Sequence, residues 1–158
     1  AVIQVGAATE TEMKEKKLLT EAEADIAINT YAEKIEDFFK KDLGRRIINS
    51  NCVYREAPFV LKKHAKEVME ALSEEDLILV QGIIDCYFIE DGEAVILDYK
   101  TDRIDERANI CSQINKLTEE YRDQVLLYRE AVEKLTGLRV KEAYLCFFSI
   151  GKEVLVPF

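Results

Sequence analysis

Apolar residues recur at helical spacing near the start of the chain and at strand spacing through its middle. Residues 1–10 show no periodicity and are expected to trail loosely, and Thr11–Lys17 is charged enough for a short helix. Thr20-Glu21-Ala22-Glu23 reads as a capping box, Thr20 capping and Glu23 reaching back. The helix it opens is predicted to run to about Lys41, with Ile28, Tyr31, Ile35, Phe38 and Phe39 facing the core. Gly44 should interrupt it, and Arg45–Asn49 should add a further turn. Asn51–Lys62 reads as a strand bent near Pro58, followed by a charged connection to Glu75. Leu77–Phe88 and Glu93–Lys100 are rich in Ile, Val, Phe and Tyr, and they flank Asp91-Gly92, a favoured dipeptide of tight hairpin turns. Thr101–Cys111 is polar and reads as a loop. A long helix is predicted from Gln113 or Asn115 to Thr136, stopped by Gly137. Val140–Ser149 reads as a central strand, and Glu153–Val156 returns as an edge strand. This order suits one domain over residues 1–158, an α/β (α+β) fold with a mixed central β-sheet flanked by helices.

The hairpin carries the candidate chemistry. Folding the chain at Asp91-Gly92 sets Asp85 opposite Asp98 across the ladder. Strand alternation then puts Asp98 and Lys100 on one face and Tyr99 on the other. An Asp-x-Lys on a strand is commonly a pair of solvated residues. Here it ends the buried-type run Val95-Ile96-Leu97, and charged groups inside a protein must be paired or bound to metal. Two acids and an amine at one spot are the minimum kit for holding Mg2+ and activating water. The lysine could orient or deprotonate that water, or neutralise a phosphate.

Other candidates are weaker on pattern alone. Glu56 on its strand reads as solvated. Tyr121, Gln124 and Tyr128 share one stripe of the long helix, extended by Leu117, Val132 and Leu135. Polar groups in an apolar stripe need partners, which an acidic site would supply. Alternatively the tyrosines pack in the core with their hydroxyls at its edge.

Composition narrows the classes. The chain has 158 residues, 48% hydrophobic and 34% charged. No apolar run reaches the roughly 18 to 20 residues of a membrane helix, and no signal peptide is visible. Cys52, Cys86, Cys111 and Cys146 stand singly, without a C-x-x-C pair, so zinc-ribbon and iron–sulfur readings fail. They are expected to be free, mostly buried thiols in a reducing cytoplasm. No G-x-x-x-x-G-K-[ST] loop occurs, so no ATPase motor is present. A net charge of −9 argues against a stand-alone DNA binder.

Four segments together resemble the PD-(D/E)xK nuclease superfamily. They are Arg55-Glu56-Ala57-Pro58-Phe59, the G-x-x-D strand Gln81–Asp85, the D-Y-K-T element Leu97–Asp102, and the Y-x-x-Q-x-x-x-Y helix Tyr121–Tyr128. The likeness covers about residues 20 to 158 and is nearest the nuclease domain of AddA- and RecB-type bacterial helicase-nucleases, the AddA type above all. It implies a restriction-endonuclease-like fold, with Asp85 and Asp98 as metal ligands, Lys100 as the catalytic lysine and Glu56 as a further acidic site residue. Gln124 and Tyr128 would line the site and help place the DNA strand, and Tyr121 is a lesser member of that group. The implied activity is a Mg2+-dependent exonuclease, Mn2+ substituting, within a cytoplasmic ATP-dependent helicase-nuclease that processes double-strand DNA breaks. ATP would serve only the helicase part. Partners would be DNA, the rest of the helicase-nuclease polypeptide and its partner subunit, with no membrane. A tether to the motor would offset the acidic charge by raising effective concentration. One departure stands out. The family's G-T-x-x-H helix is missing, and the single histidine, His64, follows the Glu56 strand, where it is expected on a surface loop. The competing reading is a catalytically incomplete DNA-guiding or subunit-docking module of the same fold.

Overall fold

The computed structural model describes residues 2–5, 32–64, 66 and 76–158. The Thr20 capping box, the Thr11–Lys17 helix, Ile28, Tyr31 and most of the connection before Glu75 lie outside the described residues.

The fold is organised around one hairpin. Strands β3 (Leu77–Glu90) and β4 (Glu93–Lys100) meet at Asp91 and Gly92, whose φ angles of 54° and 79° are those a tight I′ turn demands. The ladder runs from Glu90↔Glu93 to Cys86↔Leu97, the register predicted from the turn. From β4 the chain crosses through helix α3 (Ile110–Thr136) to β5 (Val140–Phe147), which lies parallel to β4. A parallel pair needs such a crossover. β6 (Lys152–Leu155) closes that edge antiparallel to β5.

β3 is 14 residues long and β4 only 8, so β4 leaves half of one β3 edge uncovered. Strand β1 (Val2–Val5) fills it, pairing in parallel with Leu79–Gly82. For residues 2–5 this corrects the expectation of a loose start; residues 1 and 6–10 lie outside the described residues. Four residues are too few to show periodicity, but an open strand edge offers unpaired N–H and C=O groups that recruit them. β2 (Val53–His64) runs antiparallel along the whole opposite edge of β3. The result is a six-stranded mixed sheet.

Helices cover both faces, as the α/β expectation required. α3 sets Val125, Tyr128, Ala131 and Val132 against Ile84, Ile96, Leu145 and Phe147. On the other face lie α1 (residues 32–40) and α2 (Asp42–Asn49). Their Phe38, Leu43 and Ile47 pack on Cys86, Phe88, Val95, Leu97 and Cys146. β4 is thus enclosed on both sides, which is why its sequence is continuously apolar. Arg46 ties α2 to the hairpin through paired bonds to Glu90 (3.0 and 2.8 Å) and a 2.7 Å contact with Glu142. Lys141 also reaches Glu90 at 2.7 Å.

Several details differ from expectation. Gly44 sits inside α2 and does not break it; a Cβ there would lie 2.3 Å from the Phe38 carbonyl oxygen, so glycine lets the two helices meet closely. The break falls instead at Lys41, the extended cap of α2. α3 starts at Ile110, before Gln113, because Asn109 caps it by accepting the Ser112 N–H at 3.0 Å. Ile35 and Leu135 are exposed, and Leu135 leaves its predicted stripe near the end of α3. Cys86 and Cys146 are buried, while Cys52 and Cys111 are exposed; all four are free thiols. Among the described residues no helix is long and apolar enough to cross a membrane.

Candidate active site

The site begins where the sheet changes hands. Along one edge of β3, β4 stops at Cys86 and β1 starts at Gly82; Asp85 lies between them. Directly across the other edge, between the rungs Arg55↔Cys86 and Ala57↔Ile84, sits Glu56 with φ +49°. A left-handed residue other than glycine costs about 1–3 kcal/mol and clusters at functional sites. Both strands switch faces here. Phe59, Leu61, Val80 and Ile84 pack toward α3, whereas Val53, Cys86 and Phe88 pack toward α2. The bend expected at Pro58 is therefore at Glu56; Pro58 pairs normally with Ile83, and its missing N–H costs nothing on the outer edge of β2.

The turn-over leaves Asp85 one rung beyond the last β3–β4 pair, opposite Asp98. Its Oδ2 accepts the Tyr99 N–H at 2.8 Å, so a side chain continues the ladder where the backbone leaves it. Asp98 and Lys100 are 2% and 6% exposed, on the α3 face, and Tyr99 packs on the other, as alternation predicts. Asp98 Oδ2 lies 2.7 Å from Lys100 Nζ yet accepts no well-aligned hydrogen bond. Burial pushes the Asp98 carboxyl up to about 7; Lys100 opposes that shift and the neighbouring Asp85 adds to it.

α3 supplies the rest. Lys100 Nζ donates to Gln124 Oε1 at 3.0 Å, and Gln124 Nε2 donates to the Tyr128 hydroxyl at 2.7 Å. Tyr128 is 1% exposed, and its ring meets Phe59 edge-on at 5.7 Å. Tyr128 thus fits the core reading of the stripe: its ring is buried, and its hydroxyl accepts from Gln124 at the core's edge. Tyr121 places its ring 3.6 Å from Lys100 Nζ and donates its hydroxyl to Asp102, at 3.0 and 3.2 Å from the two carboxylate oxygens. Asp102 was not among the predicted site residues. Its place in the D-Y-K-T-D run was the available signal, but only the path of the loop after β4 brings it to α3.

The chain matches the model of the PD-(D/E)XK nuclease superfamily over residues 3–155. It belongs to that superfamily. It is also 40% identical over 146 residues to an ATP-dependent helicase/nuclease subunit of Alkaliphilus metalliredigens (strain QYMF), covering 90% of this chain and 11% of that protein. The corresponding protein of Alkaliphilus oremlandii (strain OhILAs) is 42% identical over 144 residues, again 90% and 11%. That of Thermoanaerobacter sp. (strain X514) is 41% identical over 143 residues, 89% and 11%. The chain therefore spans about 11% of the length of these relatives.

Within this nuclease domain, the sequence-predicted residues divide by position. Asp98, Lys100, Gln124 and Tyr128 form one connected chain, and Asp85 stands opposite Asp98, held by the Tyr99 N–H. Glu56 stands opposite Asp85 but is exposed and makes no ion pair among the described residues. His64 closes β2 opposite Leu77, so it is an exposed strand residue, not the expected loop residue. At a strand rise of about 3.3 Å it is roughly 26 Å from Glu56, too far to join the acids. Among the described residues no three His, Cys, Asp or Glu side chains converge as a ready metal cage. The two aspartates still fit a hard divalent cation. Such ions take one or two carboxylates and complete their shell with water and substrate phosphate oxygens. The buried, unbonded Oδ2 of Asp98 is the kind of atom such an ion would satisfy.

Proposed function

We propose that this chain is the exonuclease domain of an ATP-dependent helicase-nuclease that hydrolyses DNA phosphodiester bonds during processing of double-strand breaks. In this reading Asp85 and Asp98 hold Mg2+, or Mn2+ in its place, and Glu56 adds negative charge beside Asp85. The bound cation would acidify water and stabilise negative charge on the phosphate. Lys100 positions the attacking water and balances charge, fixed for that task by the Gln124 carbonyl. Gln124 lines the site beside the DNA strand, and the buried Tyr128 serves by holding Gln124 in place. The relatives are named as helicase/nuclease subunits, which supports a motor elsewhere in the same polypeptide and DNA as the substrate.

The observation that carries the proposal is the buried Asp98–Lys100 pair beside Asp85. A buried acid–amine pair in which Asp98 Oδ2 lacks a well-aligned hydrogen bond is costly in a purely structural role. The test is Asp98→Ala in the intact protein. Mg2+-dependent cleavage should fall by about 10³-fold or more, the scale seen when a preorganised electrostatic group is removed. Cleavage that survives the change rejects the site.

A second reading has its own support, because the described residues offer two clustered acids and no histidine nearby. The domain would then guide DNA or dock another protein of the complex without cutting. Calorimetric titration with Mn2+ separates the two. Binding that disappears in Asp85→Ala supports the enzyme, and no binding together with no cleavage supports the guide.

A further inference from the structure

Resting on the nuclease reading above, we propose that Asp102 and Tyr121 are a positioning pair that sets Lys100 in its working place. The resemblance gives Tyr121 a share in placing DNA, and nothing assigns a role to Asp102. The geometry points elsewhere for both. Tyr121 turns its ring face to Lys100 Nζ, 3.6 Å away, and commits its hydroxyl to Asp102. The contact is closer than the roughly 6 Å limit at which a ring attracts a cation. Burial and the Asp102 bond push the Tyr121 hydroxyl up to about 12, so it stays a donor at neutral pH.

The ammonium is therefore gripped from three directions, by the Asp98 carboxylate, the Gln124 carbonyl and the Tyr121 ring. Two of the three have their own support. Gln124 is held by Tyr128, and Tyr121 by Asp102. A flexible four-carbon side chain has several rotamers to choose from, and three fixed partners select one. Asp102 does a second job. It is the second residue after β4, so its bond to α3 latches the start of the loop that follows Lys100. The same loop is tied further along, where Gln113 on α3 accepts the Asp105 N–H at 3.0 Å and donates to the Asp105 carbonyl at 2.9 Å. Ile104 between these ties is 6% exposed.

The test measures steady-state cleavage of end-labelled linear DNA by the intact protein with Mg2+. Tyr121→Leu removes ring and hydroxyl; Tyr121→Phe keeps the ring and frees Asp102; Asp102→Asn weakens the acceptor. The expected result is a fall in kcat of about 10²-fold for Tyr121→Leu, the scale of a small misplacement, with KM for DNA within about two-fold of the parent. Tyr121→Phe should lose about 10-fold in kcat and Asp102→Asn up to as much, and the double variant should be no worse than Tyr121→Phe, because both changes act on one bond. A raised KM with unchanged kcat in Tyr121→Leu overturns the proposal, since the ring would then hold DNA. Parent-like kcat in both Tyr121→Phe and Asp102→Asn also overturns it. Lys100→Ala run alongside tests the reading beneath. Full activity there rejects the nuclease site itself, whatever the tyrosine variants do.

Discussion

Replacing Lys100 by Met keeps most of its length and removes its charge. The structure places that charge 2.7 Å from Asp98 and within reach of Gln124, so the lysine both neutralises the acids and points its ammonium along a fixed direction. Without it, Asp85 and Asp98 face each other with nothing to offset them. A divalent cation would gain from that, while the proposed reaction would lose its aligned amine. Lys100→Met should therefore bind Mn2+ at least as tightly as the parent and cut DNA about 10²–10³-fold more slowly. Calorimetry and a cleavage assay on one preparation check the pair of outcomes. Joint loss of binding and cleavage would mean that Lys100 shapes the site instead of acting in it.

At the scale of the strand pair, Glu56 is where order is spent on geometry. Its φ of +49° is one glycine adopts without strain. Glu56→Gly should raise stability toward denaturant by up to about 1 kcal/mol, yet lower cleavage if the carboxylate serves the acids opposite. Equilibrium unfolding and cleavage rates read both, and a loss of stability would show that the backbone is not strained there. This rung also marks how far the sequence could be read. Asp91-Gly92 names its own turn type, and the turn fixes the register, so the meeting of Asp85, Asp98 and Lys100 was legible from composition and alternation. The left-handed Glu56 was not, because nothing in an Arg-Glu-Ala-Pro run distinguishes a straight strand from one that turns over. Pro58 was the visible breaker, and an edge position made it harmless. Asp102 was missed for a related reason: its partner is 19 residues away, on another element. β1 was missed because its pairing follows from the unequal lengths of β3 and β4, and from nothing in residues 2–5.

Across the whole molecule, the site end of the sheet and the turn end are held by different means. The site end relies on a buried acid–amine pair. The turn end relies on Arg46, Lys141, Glu90 and Glu142, which join α2, the hairpin and β5. Bonds to Arg46 and Lys141 hold the Glu90 carboxyl down at about 2, below its ordinary value near 4.5. A lowered carboxyl stabilises the fold above its unfolded pKa and ceases to do so as pH falls through the folded one. The contribution is therefore complete above about pH 5 and is lost between roughly pH 4.5 and 2. Arg46→Met should flatten that part of the acid unfolding curve, and urea melts at pH 7 and pH 3 should differ less than they do for the parent. An unchanged acid slope would place the sensitivity elsewhere. The net charge of −9 works against free association with DNA; in the proposed reading a tether to a motor would offset it by raising effective concentration.

All of this turns on whether the two aspartates share a cation. Crystals of the protein soaked in Mn2+ and measured at an anomalous wavelength answer that directly. The account predicts a peak between the carboxylates of Asp85 and Asp98, with Lys100 Nζ alongside and no peak at His64. Clear side-chain density with no manganese between the two acids would contradict it.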